Sequence, residues 1–157
     1  MSIPARIRDA LATRLQTIRR VDGFHTDMGL AVTRGRVAYA EQDLLGGPAL
    51  NLYTPGEDYL DHLGRQQRNV LNITVEAWGL FDHDADAVAD QLLADIKAAV
   101  LRADQPTLAD AGGPLGQRLE YVSASVDLPD PGQRLVSVTV SLRCPYFERY
   151  GAPTLTA

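Results

Sequence analysis

The residues best suited to chemistry sit in one short run: Asp82, His83, Asp84, Asp86 and, a turn later, Asp90. Carboxylates at 82, 84 and 86 match the first three ligand positions of a calcium loop. The match stops there. Ala87 stands where the sharp turn of such a loop needs glycine, and Leu93 where its bidentate glutamate belongs. The start of a helix accounts for these acids better. Asp82 or Asp84 then caps the free N–H groups, and further acids in the first turn face the positive end of the macrodipole.

His25, His62 and His83 are the three histidines, and none has the spacing of a metal-binding pair such as H-E-x-x-H. No G-x-S-x-G, P-loop or G-x-G-x-x-G segment occurs. Cys144 is the single cysteine, so no intrachain disulfide can form. It falls on the apolar side of an alternating segment, which makes it a packing residue rather than a nucleophile. No catalytic, cofactor or metal site is therefore expected. An enzymatic or ligand-binding domain would require the three histidines to converge in one cleft.

Composition sets the class. The 157 residues are 45% hydrophobic and 22% charged, ordinary for one soluble globular domain. A net charge of −5 argues against a nucleic-acid binder, which needs a basic surface. No run approaches the about 18 apolar residues of a membrane helix. The start, MSIPARIRDALATRLQ, lacks the continuous apolar core of a secretory signal. A single domain over residues 1–150, made in a cytoplasm and followed by a flexible tail at 151–157, is the expectation.

The elements follow from periodicity. Over residues 70–78, Leu71, Ile73, Val75 and Ala77 alternate with Asn72, Thr74, Glu76 and Trp78, the pattern of a strand with one buried face. From Asp82 the period becomes helical, with Ala85, Val88, Ala89, Leu92, Leu93, Ile96 and Val100 three or four apart. Residues 3–18 form another helix, with Ser2 as N-cap, Pro4 in the first turn and a stripe of Ile3, Ile7, Leu11, Leu15 and Ile18. Arg6, Arg8, Arg14, Arg19 and Arg20 lie mostly off that stripe, as a solvated face or a docking surface. Residues 30–39 predict a strand or hairpin carrying Arg34 and Arg36, and 49–54 a strand.

Residues 55–67, PGEDYLDHLGRQQ, read as a polar loop, too long for an ordinary hairpin. Glu57, Asp58, Asp61, Arg65 and the following Arg68 suit either a hairpin extended onto a neighbouring subunit or a disordered tip. Residues 103–115 read as a Pro- and Gly-rich loop. A closing hairpin follows, 117–127 and 135–144, with Val122, Ala124 and Val126 facing in and Pro145 ending the second strand. These elements predict an α+β fold: a mainly antiparallel sheet with two amphipathic helices on one face. Its other face would carry Asn72, Thr74, Glu76, Ser123, Ser125, Ser137, Thr139, Ser141 and Arg143, either wet or lining the lumen of a ring. Trp78 there suits intrachain packing or an interface.

The element order resembles that of phage tail terminator proteins. So do IRDALATRLQTI followed by VDGFHTDMG, NVLNITVEAW with its acidic-capped helix, and the ending RLVSVTVSLRCPYFERYGAP. The likeness spans residues 3–150. It implies a virion protein at the head-proximal end of the tail, forming a homohexameric ring that caps the tail tube and docks the head connector. DNA would pass through such a ring without sequence-specific binding. A neck or head–tail joining protein of the same assembly is the alternative. The candidate residues for a subunit or tube interface are Arg34, Arg36, Glu57, Asp58, Asp61, Arg65, Arg68, Trp78 and Arg143. Residues 55–68 and the strand edge at 30–39 would supply the two complementary edges that a closed ring needs.

Overall fold

The alternating segment at 70–78 is the middle of a five-stranded sheet. The structure, a computed structural model, describes residues 1–35, 38–149 and 151. Arg36 and most of the expected tail at 151–157 lie outside the described residues. The helices are α1 (Ile3–Leu15) and α2 (Ala85–Val100). The strands are β1 (Val32–Arg34), β2 (Ala49–Leu63), β3 (Gln66–Leu80), β4 (Thr107–Asp110), β5 (Gly113–Arg118), β6 (Glu120–Asp127) and β7 (Leu135–Arg149). The sheet order is β1-β2-β3-β7-β6, parallel only between β1 and β2. β4 and β5 form a separate hairpin. The α+β expectation holds.

One sheet face builds the core. Leu71, Ile73, Val75 and Ala77 of β3 and Val136, Val138, Val140, Leu142 and Cys144 of β7 are buried. They join Ile3, Ile7, Leu11 and Leu15 of α1 and Leu92 and Ile96 of α2. Each fully buried branched side chain contributes roughly 1.5–3 kcal/mol. Ser2 caps α1 by accepting from Ala5 N at 3.3 Å, and α1 stops at Leu15 with Ile18 still buried beyond its end. Asp84 caps α2 by accepting from Ala87 N at 3.0 Å, with Asp86 in the first turn. The acidic cluster therefore starts a helix.

Four readings need correction. Arg14 is not on a solvated face: it is 8% exposed, with Nη1 donating to Val100 O at 2.9 Å and Nη2 to Gln105 O and Thr107 O. A long side chain on α1 thus satisfies a carbonyl at the end of α2, which the helix itself leaves unpaired. The expected loop at 103–115 holds most of the β4–β5 hairpin. Pro145 does not end β7, and Pro55 does not end β2. Pro145 comes after β6 has left β7, and Pro55 lies at a bulge between Tyr53 and Gly56; edges and bulges tolerate a residue without an N–H. Finally, Val122 and Val126 are exposed rather than buried, although Val126 lies opposite Val138 on the core-facing side, as described below.

The β4–β5 hairpin is clipped to α1 by Arg6, whose Nε and Nη2 each donate to Asp110 at 2.7 Å. That hydrogen bond holds the Asp110 carboxyl down, from an ordinary 3.8 to about 2. A carboxyl lowered by folding stabilises the fold above its unfolded value and loses that effect as pH falls through its folded value. Wild type is expected to be more stable than Asp110→Asn at pH 5, with the difference closing between about pH 4 and 2. Denaturant midpoints over a pH series would measure this. A difference unchanged down to pH 2 would contradict it.

Candidate subunit interface

Residues 55–67 are neither a loop nor a loose tip. β2 and β3 stay paired to a two-residue turn, Gly64 and Arg65, with Leu63 opposite Gln66. Gly64 takes φ 61°, the left-handed backbone required at the first central position of a type II′ hairpin turn. β7 follows β3 outward until Arg149 stands opposite Gln66. Among the described residues β1 pairs with β2 at Leu50, Asn51 and Leu52, and β6 leaves β7 at Arg143. Beyond those points the sheet continues as a three-stranded arm. Residues 55–63, its β2 edge, are exposed throughout.

The arm is tied on both faces. On the helix side the Tyr146 hydroxyl donates to Glu57, and Asn69 Nδ2 donates to Glu148 at 2.9 Å. Gln67 Nε2 donates to Asn69 at 2.8 Å, and Tyr59 OH meets His62 Nδ1 at 2.8 Å. Burial, helped by Glu57, pushes the Tyr146 hydroxyl above the ordinary tyrosine value, so it remains a donor at physiological pH. On the opposite face Arg68 binds Asp61 through Nε at 3.1 Å and Nη2 at 2.7 Å, and Asn72 donates to Asp58 at 3.0 Å. Paired backbones and these cross-strand contacts stiffen the arm. Its edge nonetheless presents apolar groups to water: Tyr59, Leu60 and Leu63, the last 77% exposed. Leu60 is the extra residue of a second bulge, between Tyr59 and Asp61.

The arm gathers five of the expected interface residues: Glu57, Asp58, Asp61, Arg65 and Arg68. Arg143 lies at its base, in the row Gly56–Asn72–Arg143–Glu120 across the sheet. The others lie elsewhere. Arg34 ends β1 and pairs with Asp9 of α1. Trp78, at the far end of β3, packs against Tyr39 with ring centroids 6.1 Å apart, beside Leu44 and Ala49. Trp78 is thus engaged within its own chain.

The topology also corrects the pairing of edges. β1 and the arm edge of β2 belong to the same side of the sheet, so they cannot be the two opposed surfaces of a ring subunit. The opposite edge is β6. There a bulge between Tyr121 and Ser123 takes Val122 out of the alternation, and α2 packs over β3 and β7 rather than β6. Tyr121, Val122, Val126 and the following Leu128 are all at least 40% exposed, and Val122 is 51% exposed. Alternation alone placed Val122 and Val126 inside; it does not distinguish a central strand from an edge that no helix covers.

The three histidines do not converge. His25 N donates to Asp95 of α2, His62 is on the arm and His83 precedes α2. Among the described residues, no group of three or more His, Cys, Asp or Glu could hold a metal ion, and no helix is long and apolar enough to cross a membrane. A cleft of about 670 Å³ between α1 and residues 102–110 is lined by Arg14, Arg102 and Asp110, without a histidine. Comparison with protein-family models and with curated proteins returned no match.

Proposed function

We propose that the chain is a virion protein of the tail terminator kind. In this reading it forms a homohexameric ring on the last ring of the tail tube, stops tube growth and offers a docking surface to the head connector. It assembles in the host cytoplasm and resides at the head-proximal end of the tail. The observation that carries the reading is the pair of unlike edges on one sheet: a projecting arm on the β2 side and an uncovered apolar strand, β6, on the other. A cyclic ring joins each subunit to the next through two different surfaces, so a ring subunit needs two such edges. The face away from the helices carries the hydroxyls and amides of Asn72, Ser123, Ser125 and Thr139 together with the charged Glu76, Arg143, Glu120 and Asp127, a polar surface suited to a lumen through which DNA slides without base contacts.

Incubation with purified tail tubes tests this role. The protein is expected to sediment with the tubes and to appear in micrographs as a cap at one end. Binding to heads or connectors without any to tubes would move the assignment to a neck protein.

A further inference from the structure

We infer that the end of the sheet opposite the arm binds an arginine side chain of a partner protein, in a hollow floored by Trp78, Ser137 and Asp127. One row of the register, Ala49–Trp78–Ser137–Asp127, sets these last three side by side on the face away from the helices. The turn that leads from β6 into β7 brings Leu128, Asp130 and Gln133 beside them. Together they bound a cavity of about 150 Å³. That is below the roughly 300–1,000 Å³ of pockets that take whole small molecules, and it suits a single side chain.

The lining selects the side chain. Asp127 and Asp130 are exposed, and neither carboxylate is paired with a cation among the described residues. Ser137 is 7% exposed, yet its hydroxyl has no hydrogen-bond partner among the described residues. A buried polar group left unpaired is costly, so a donor entering the hollow gains by meeting it. No lysine, arginine or histidine lines the cavity. Arg134, next along the chain, places its guanidinium elsewhere, with Nε on Phe81 O at 3.4 Å and Nη2 on Asp82 at 3.1 Å. Two unpaired acids, an unpaired hydroxyl and an indole suit a flat cation rich in donors. A guanidinium carries its N–H donors in one plane and stacks on aromatic rings, which an ammonium does less well. Its apolar stem would lie along Leu128 and Leu135. The net charge of −5 favours the approach of a basic partner. The chain's own Arg65 is exposed at the arm tip, at the far end of the sheet, so seating it in the hollow would add copies head to tail without closure. A ring that caps a tube excludes such growth, and the partner is therefore a different protein; that step alone rests on the ring reading.

Trp78 is the single tryptophan, so its emission reports on the hollow. Full-length protein titrated with N-acetylarginine amide is expected to show a saturable change in emission. N-acetylcitrulline amide, which keeps the shape without the charge, should give none. Asp127→Asn with Asp130→Asn removes both carboxylates at exposed positions, so this variant should melt as wild type does. It should bind the arginine amide about tenfold or more weakly, the loss expected of charge-assisted hydrogen bonds. No saturable change, an equal response to the citrulline amide, or unchanged binding by the variant would overturn the arginine site while leaving the ring reading intact. Open filaments of wild type that Arg65→Ala abolishes would instead seat a second copy in the hollow, overturning the separate partner and the capping ring together.

Discussion

Asp95→Ala is expected to lower the unfolding free energy by about 3 kcal/mol or more, since buried donors left without an acceptor cost roughly 1–3 kcal/mol each. Asp95 lies on the inner side of α2 and is 2% exposed. Its Oδ1 accepts from His25 N at 2.9 Å, and its Oδ2 from Thr26 N and Thr26 Oγ1, both at 2.8 Å. Thr26 is itself buried, so no water stands ready to replace the carboxylate. This one side chain fastens the segment between α1 and β1 to α2. Asp95→Asn keeps the shape but turns an amide toward donors, and its loss should be smaller yet clear. Denaturant midpoints would measure both. A change below about 0.5 kcal/mol for the alanine variant, the range of neutral surface substitutions, would contradict the role.

Gly29→Ala is expected to cost about 3 kcal/mol, at the upper end of what overpacking does. A methyl there would lie 2.6 Å from Ile18 O and 2.8 Å from Gln16 O and Leu15 O. These are backbone carbonyls at the end of α1, and none can swing away like a side-chain tip. Gly29 N also donates to Ile18 O at 3.0 Å, so moving the segment aside would break that bond. For a chain of this size the loss corresponds to a melting temperature lower by roughly 6–12 °C. Gly46→Ala is the control. Nothing lies within 4 Å of the added carbon at Gly46, and the change should fall within about 1 kcal/mol of neutral. Equal melting of the two variants would contradict the packing argument.

The parts of the fold that were legible in the sequence are those where one period dominates. Leu71, Ile73, Val75 and Ala77 announced the central strand, and Asp84 the start of α2, because burial and capping act locally. Arg14 was illegible, because its three carbonyl partners come from residues about 90 positions away. β4 and β5 were hidden by the glycines and prolines of residues 103–115, which mark turns but also suit a short hairpin. The arm was visible only as an anomaly of length, since Pro55 and a run of acids disguise an edge strand. Its counterpart on β6 left no signal of its own. The exposure of Val122 and Val126 depends on where α2 comes to rest, which alternation cannot encode.

Native mass spectrometry of the wild-type protein, with negative-stain imaging of the same sample, tests the central claim most directly. It should be run over a range of concentrations, alone and with purified tail tubes. The account predicts a species of six times the 17.1 kDa chain, seen as six-fold rings with an axial hole, free or seated on tube ends. A monomer at every concentration, with tube ends left bare, would contradict it.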